Sequence, residues 1–385
     1  MESNKVIKFK VVNYHKINLS ELVYHGMEEH ILIVKVSDLP LDIPKHANLR
    51  LQDIRKKLYR GVRKTLEDKH SKFFYTYNNG LKIHGRACKY DDSTGMVTIH
   101  LDDPKIPMGI ADGGHTYEII KESIKDGNCP EQYVKIVVFA SFPTREIAVR
   151  TTAGNNTSTA VKKQSIFNQL GYFDWMKKYF VDKQISWMEN EEGFPIRTMV
   201  SIFSAFNIEN YPNKRRVIDE IPHPITCYNS KGKVLDEYEF DKSLKKLSLV
   251  LKDIMYLYSY IMYKTPILYN DNGGRFGNLE HVTSKSGPYD FIFLEKKVKI
   301  PSTLNGAVCF PILSAFRSCL VERDGKFVWS KPFSHILKVC DENILIMFVK
   351  ILDVIKEKNT QHICSTISSD TSLWSELYNK IRFNE

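Results

Sequence analysis

The chain has 385 residues, with 55 lysines and arginines against 45 aspartates and glutamates, a formal charge of +10, and 43% hydrophobic, 26% charged and 12% aromatic residues. That composition excludes wholesale disorder and a collagen-like repeat, and the length is that of more than one packed unit at roughly 100–200 residues each. The most apolar stretches, Ile254 to Tyr263 and Ile344 to Val349, are bounded by charged residues and fall well short of the roughly 20 apolar residues a membrane helix needs, so no membrane partner is expected.

The opening MESNKVIKFK places charges where a secretory signal needs an apolar core, which predicts a cytoplasmic protein. Seven scattered cysteines without CxxC spacing are expected to be reduced thiols rather than a disulfide framework or a zinc site. Residues 6–14 and 31–37 are strand-like apolar runs, and the prolines of DLPLDIPKHAN stop any regular element after them. From Asn48, Leu51, Ile54, Leu58, Val62 and Leu66 recur every three or four residues, which predicts one amphipathic helix to about Leu66. FFYTYNNGLKI reads as an aromatic strand interrupted by Asn78-Asn79-Gly80, and MVTIHL, IPMGIAD and VKIVVFASF as further strands, with a helix from His115 to Ser123. After Arg145 the pattern turns helical, with helices expected over 160–182, 196–209 and 240–263 and breaks at Gly154-Asn155-Asn156 and Gly193-Phe194-Pro195. Residues 264–311 are rich in glycine and proline and are expected to form loops with one short strand near 289–294, before a helix from Ser334 to Lys358. The fold class is therefore α+β, a mixed-sheet N-terminal domain followed by a mainly helical C-terminal region. The expected divisions are 1–150 (α+β, phosphate-binding), 151–270 (helical) and 271–385 (loop-rich and helical).

Charge is concentrated between Lys45 and Lys72, where ten basic residues face only Asp53, Glu67 and Asp68. On the expected helix Arg55, Lys56, Arg63 and Lys64 flank the apolar stripe and Arg60 points further out, with Arg50 before them. These six form a candidate nucleic-acid surface for DNA or RNA phosphates, and a solvated helix face is the plainer account of the same run. No helix-turn-helix, zinc-finger or RRM signature accompanies it.

Two turns stand beside strong strand sequence. In Asp112-Gly113-Gly114-His115-Thr116 the glycines free the backbone to direct N–H groups into one concavity at a helix start, a geometry that suits an anion. His115 and Thr116 would add side-chain donors, while a tight connection capped by Asp112 or Thr116 would use the same residues. Asn78 and Asn79 could contact a base or phosphate, although Asn79-Gly80 is also a common hairpin turn. Asn155 and Asn156, in a polar segment flanked by Arg145, Arg150, Lys162 and Lys163, are a third set of candidate ligand contacts.

Taken in order, Asn48-Leu49-Arg50 before a basic helix, Phe74 to Gly80, the Gly-Gly-His-Thr turn and the Asn155-Asn156 to Val161 segment resemble the AIPR family of proteins associated with abortive infection and phage resistance. The resemblance extends over roughly residues 30–210 and implies a phage-defence role. The Asp-Gly-Gly-His turn is also similar to the turns of DndB-type and ParB/sulfiredoxin-type proteins, which bind nucleotide phosphates. Thr116 stands where those carry arginine, which removes a bidentate phosphate fork.

Two other functional classes stay open. One is a metal-dependent nuclease or nucleotide hydrolase in which Asp112 and His115 are catalytic, with a nucleotide or divalent metal as cofactor. Asp290 with Glu295 and Lys297 is a weaker, restriction-like candidate, and no dedicated metal motif, P-loop or Gly-x-Ser-x-Gly elbow is present. The other is an interaction module, binding a protein partner or a second copy through Tyr256, Tyr258, Tyr260 and Tyr263.

Overall fold

The computed structural model describes residues 5–19, 26–52, 54, 57–155, 162–181, 183–213, 222–279, 282–284, 291–294, 302–358 and 363–382. The chain forms two compact units, Met1–Phe173 with Ser186–Glu191, and Asp174–Ile185 with Glu192–Glu385. The first is α+β with a mixed sheet and the second is largely helical, the fold class that the residue pattern implies. No helix among the described residues is long and apolar enough to cross a membrane.

Among the described residues the sheets of the N-terminal unit are built from β1 (Val6–Lys10), β2 (Asn13–Asn18), β3 (Glu28–Lys35), β4 (Leu81–Gly85), β5 (Ala87–Asp91), β6 (Met96–His100), β7 (Gly109–Asp112) and β8 (Tyr133–Ala140). β1, β6 and β5 make a three-stranded antiparallel sheet, and the larger sheet runs β2-β3-β8-β4-β7, antiparallel throughout except for β4 with β8. β8 lies at its centre and is buried at Val134, Ile136, Val137, Val138 and Ala140, which explains its near-continuous apolar sequence. Residues 6–14, expected as one strand, divide between the two sheets: Val11 bonds to Gly95 and Val12 to Ile33, so the chain changes partners there.

The helices of this unit are α1 (Lys57–Leu66), α2 (Phe74–Tyr77), α3 (Gly114–Lys125), α4 (Arg145–Asn155) and α5 (Lys163–Gln169). Two expectations are corrected here. Residues 48–52 do not belong to the basic helix, which is described from Lys57, because they spend their polar groups locally: Asn48 Oδ1 accepts the Arg50 N–H at 3.0 Å and Gln52 Nε2 donates to the Arg50 carbonyl at 2.6 Å. The aromatic segment Phe74–Tyr77 is a helical turn instead of a strand. Phe74 is buried in it while Tyr77 is exposed, and pairing begins only at Leu81. α3 keeps the expected position and buries Thr116, Tyr117, Ile119, Ile120 and Ser123.

The helical unit contains α6 (Asp174–Lys177), α7 (Ile196–Ala205), α8 (Ile225–Asn229), α9 (Lys231–Tyr238), α10 (Leu251–Asp271), α11 (Gly306–Ala315), α12 (Phe333–Lys358), α13 (Ile363–Ser369) and α14 (Thr371–Arg382), with a hairpin of Leu320–Arg323 and Lys326–Trp329. α10 runs eight residues past its expected end, through Pro266. Proline cannot donate to the carbonyl four residues back, and Thr303 Oγ1 donates to that Met262 carbonyl at 2.9 Å instead. Residues 292–294, placed within a short strand by the sequence, form a 3-10 turn.

Buried imidazoles set the acid sensitivity of both units. His84 in β4 is 2% exposed, with the Phe142 ring 4.4 Å away, and burial pushes its pKa down to about 4. Burial, and then the Arg317 charge, push His223 down to about 4 as well. Below the ordinary value near 6.5 the unfolded imidazoles take up protons that the folded ones refuse, so stability is lost as pH falls from about 6.5 towards 4, by up to about 3 kcal/mol for a fully buried histidine. The carboxylate of Glu131, held down to about 2 by Lys72, stays charged across that window in the folded chain. Calorimetry at pH 7.5 and 5 should show a lower melting temperature at pH 5, and His84→Gln should flatten the N-terminal unit's share of the slope.

Candidate functional site

The Asn78 loop and the Asp112 turn meet at one end of the larger sheet. β4 and β7 are antiparallel neighbours with Lys82 opposite Asp112, so the chain entering β4 and the chain leaving β7 lie side by side. Asn78 links them: its Oδ1 accepts the Gly80 N–H at 2.8 Å and its Nδ2 donates to Thr116 Oγ1 at 3.2 Å. Asn79 beside it is exposed. Gly113 joins β7 to α3 in the left-handed region at φ +80°, and a Cβ there would lie 2.4 Å from the Gly80 carbonyl oxygen. Backbone packing therefore accounts for that glycine without any ligand.

A third segment closes over the turn. Tyr117, fully buried in α3, donates to the Pro40 carbonyl and accepts the Ile43 N–H, each at 2.8 Å, and Ile110 N–H bonds to Pro44 O at 2.8 Å. These bonds lay residues 40–50 along β7 and bring Asn48 and Gln52 over Gly114. Their amide nitrogens each sit 2.8 Å from where a Gly114 Cβ would be. The imidazole of His115 stacks on Tyr59 of α1, ring centroids 4.2 Å apart and 10° from parallel.

The electrostatics of this corner are those of a donor cluster. Asp112 Oδ1 accepts the Gly113 N–H at 2.8 Å, so the carboxylate is turned onto its own backbone. The first internal bond of α3 is Tyr117 N–H to Gly113 O at 3.0 Å, and among the described residues the N–H groups of Gly114 and Thr116 have no acceptor. These amides carry the positive end of the α3 dipole, with the Asn48 and Gln52 amide groups beside them. Gln52 and Tyr59 were absent from the sequence-derived site. Tyr59's only sequence signal was an aromatic three residues before Val62 on the same helix.

The basic run is less free than its sequence suggests. Arg63 pairs with Glu67 at 3.4 Å and with Glu122 of α3, and Ser123 Oγ donates to Glu67 at 2.7 Å, so Arg63 serves the packing of α1 on α3. Lys45 pairs with Glu118 at 2.7 Å; burial pushes this carboxyl up, but Lys45 and Lys121 outweigh it and hold it below the ordinary range. Arg50 is anchored against Glu189, Nε to Oε2 3.7 Å, while Arg60 and Lys64 are exposed. Asn155 is the last residue of α4. Arg55, Lys56, Asn156, Asp290, Glu295 and Lys297 lie outside the described residues.

Elsewhere the other candidates are absorbed into packing. Tyr258 meets Phe194 edge-on at 5.6 Å, Tyr263 meets Phe291 at 5.5 Å, and Tyr260 stacks on Tyr256 and donates to Asp341 at 2.6 Å. Among the described residues no three histidines, cysteines or carboxylates gather as a metal site. A cleft of about 720 Å³ in the N-terminal unit, lined by Lys5, His46 and Asp102 among others, contains none of the sequence-derived site residues.

The sequence model of the AIPR protein family matches residues 47–370. The chain belongs to that family, whose members confer phage resistance by abortive infection. The match runs far beyond the 30–210 region whose motifs suggested it, through most of the helical unit. No curated protein and no solved structure matches the chain.

Proposed function

We propose that this AIPR-family chain acts in abortive infection by capturing a phosphate of a nucleic acid or nucleotide at the start of α3, with Arg60 and Lys64 of α1 drawing the polyanion in. The observation that carries this reading is that the side-chain amide nitrogens of Asn48 and Gln52 lie over Gly114 at the start of α3, where the N–H groups of Gly114 and Thr116 also begin the helix. Gln52 Nε2 spends one hydrogen on the Arg50 carbonyl and keeps a second, and an anion among neighbouring donors relieves their mutual repulsion. The stacked Tyr59 and His115 rings beside the turn offer a face on which a base could lie.

The test uses labelled single-stranded DNA, single-stranded RNA and ATP as probes. Asn48→Asp keeps the oxygen that accepts the Arg50 N–H and puts a negative oxygen where the donor was. It is expected to weaken binding of whichever probe the wild type holds by roughly tenfold or more. Arg60→Glu with Lys64→Glu, both on an exposed face, should weaken nucleic acid more than ATP and reduce the salt dependence. Unchanged affinity in both variants, or no binding of any probe by the wild type, would overturn the reading.

A further inference from the structure

A cavity of about 400 Å³ in the helical unit lies against α9 and the 3-10 segment Ser243–Leu249. Its size is that of a small-molecule site. Tyr211, Tyr238 and Phe240 supply aromatic surface to it, Glu237 and Asp241 supply two carboxylates, and among the described residues no lysine or arginine lines it. On a chain of net charge +10 this local sign is reversed.

Among the described residues the Asp241 carboxylate is held by neutral groups and has no ion-pair partner. Its Oδ2 accepts Asn210 Nδ2 at 2.9 Å and Asn207 Nδ2 at 3.3 Å, and its Oδ1 accepts the Ser243 N–H at 2.8 Å and the Ser243 hydroxyl. All four donors are neutral, so they orient the carboxylate without cancelling it. Among the described residues Glu237 pairs only with Lys233, at 3.7 Å on a flank where both side chains are more than half exposed. Tyr238 is 7% exposed and its ring is held by Trp175, whose Nε1 donates to the Tyr238 hydroxyl at 2.9 Å. Phe240 stands at the rim, 80% exposed, so its ring is open to a ligand.

We infer that this cavity binds a small organic cation, an ammonium group carried on a short apolar body. Aromatic faces and a fixed carboxylate are the two elements that attract such a group, the first through the ring quadrupole and the second through its charge. A phosphate ligand is opposed by both carboxylates. A hard metal ion is disfavoured because every Asp241 lone pair already accepts a hydrogen bond and the described residues assemble no further ligands. The site is separate from the α3 turn and does not depend on the reading given for it.

The probe pair is phenethylamine and 2-phenylethanol, which share an apolar body and differ in the ammonium. Trp175 is bonded to a residue of the cavity wall, so its fluorescence should report occupancy, with Trp175→Phe assigning the signal and calorimetry measuring the affinity. Phenethylamine is expected to bind saturably and at least roughly tenfold more tightly than the alcohol. Glu237→Gln, at an exposed side chain that does not hold the fold together, should weaken the amine and leave the alcohol unchanged. Equal binding of the two compounds, insensitivity to Glu237→Gln, or no saturable binding of the amine would each overturn the inference.

Discussion

Replacing Arg317 by leucine is expected to destabilise the helical unit by about 3–5 kcal/mol, seen as a lower urea midpoint. Arg317 is fully buried and has no acidic partner among the described residues; burial brings its pKa down to about 10. Its guanidinium instead donates to three carbonyls, Pro222 at 2.8 Å and Tyr211 and Ser314 at 3.4 Å, and lies 4.5 Å over the Tyr378 ring. Leucine would take the guanidinium donor from all three; Ser314 O keeps the Phe316 N–H, while the carbonyls of Pro222 and Tyr211 lose their bond to the arginine. Lysine keeps the charge but cannot present a planar fork to three acceptors, so Arg317→Lys should lose most of the same stability. Tyr211 also lines the cation cavity, and the leucine variant should lose affinity there together with stability.

A second large effect separates fold from binding within the glycine turn. Gly113→Ala is expected to cost the N-terminal unit about 3–5 kcal/mol: a left-handed φ penalises any side chain, and the new methyl would lie against the Gly80 backbone. That contact, at 2.4 Å, cannot relax without moving β4. Gly114→Ala is different. Its φ is ordinary, and its methyl would meet the ends of two flexible side chains, Asn48 and Gln52, at 2.8 Å. It should cost about 1–2 kcal/mol and displace two of the four proposed phosphate donors. Thermal unfolding alongside the labelled-probe titration reads both effects. Binding that survives Gly114→Ala undiminished would remove the Asn48 and Gln52 amides from the site.

The two substitutions also mark how far the candidate site was legible beforehand. Asp112-Gly113-Gly114-His115-Thr116 could be read as a strand-to-helix turn because glycine pairs and the periodicity of Ile119 and Ile120 are local signals. That the Gly80 carbonyl leaves Gly113 no room for a side chain is not local. They are 33 positions apart in the chain, and their contact exists only because β4 and β7 are neighbours. Arg63 shows the opposite failure. Its sequence context suggests an open phosphate contact, and α3 supplies the glutamate that engages it.

What the amino-acid order alone settled were the elements whose burial follows one period: the apolar run of β8, the stripe of α3, and the long α12, found at Phe333–Lys358 against an expectation of 334–358. The order of the motifs along the first half also sufficed to suggest the family that matches residues 47–370. Tertiary structure decided where local preference and long-range bonding compete. Residues 48–52 leave the helical pattern to cover Gly114, Phe74–Tyr77 coil although aromatic residues favour strands, and α10 passes through Pro266 because Thr303 takes up the carbonyl that proline leaves unpaired. For α10 the partner group comes from a distant part of the chain, and a hydrogen bond made across such a distance leaves no periodic trace in the residues that make it.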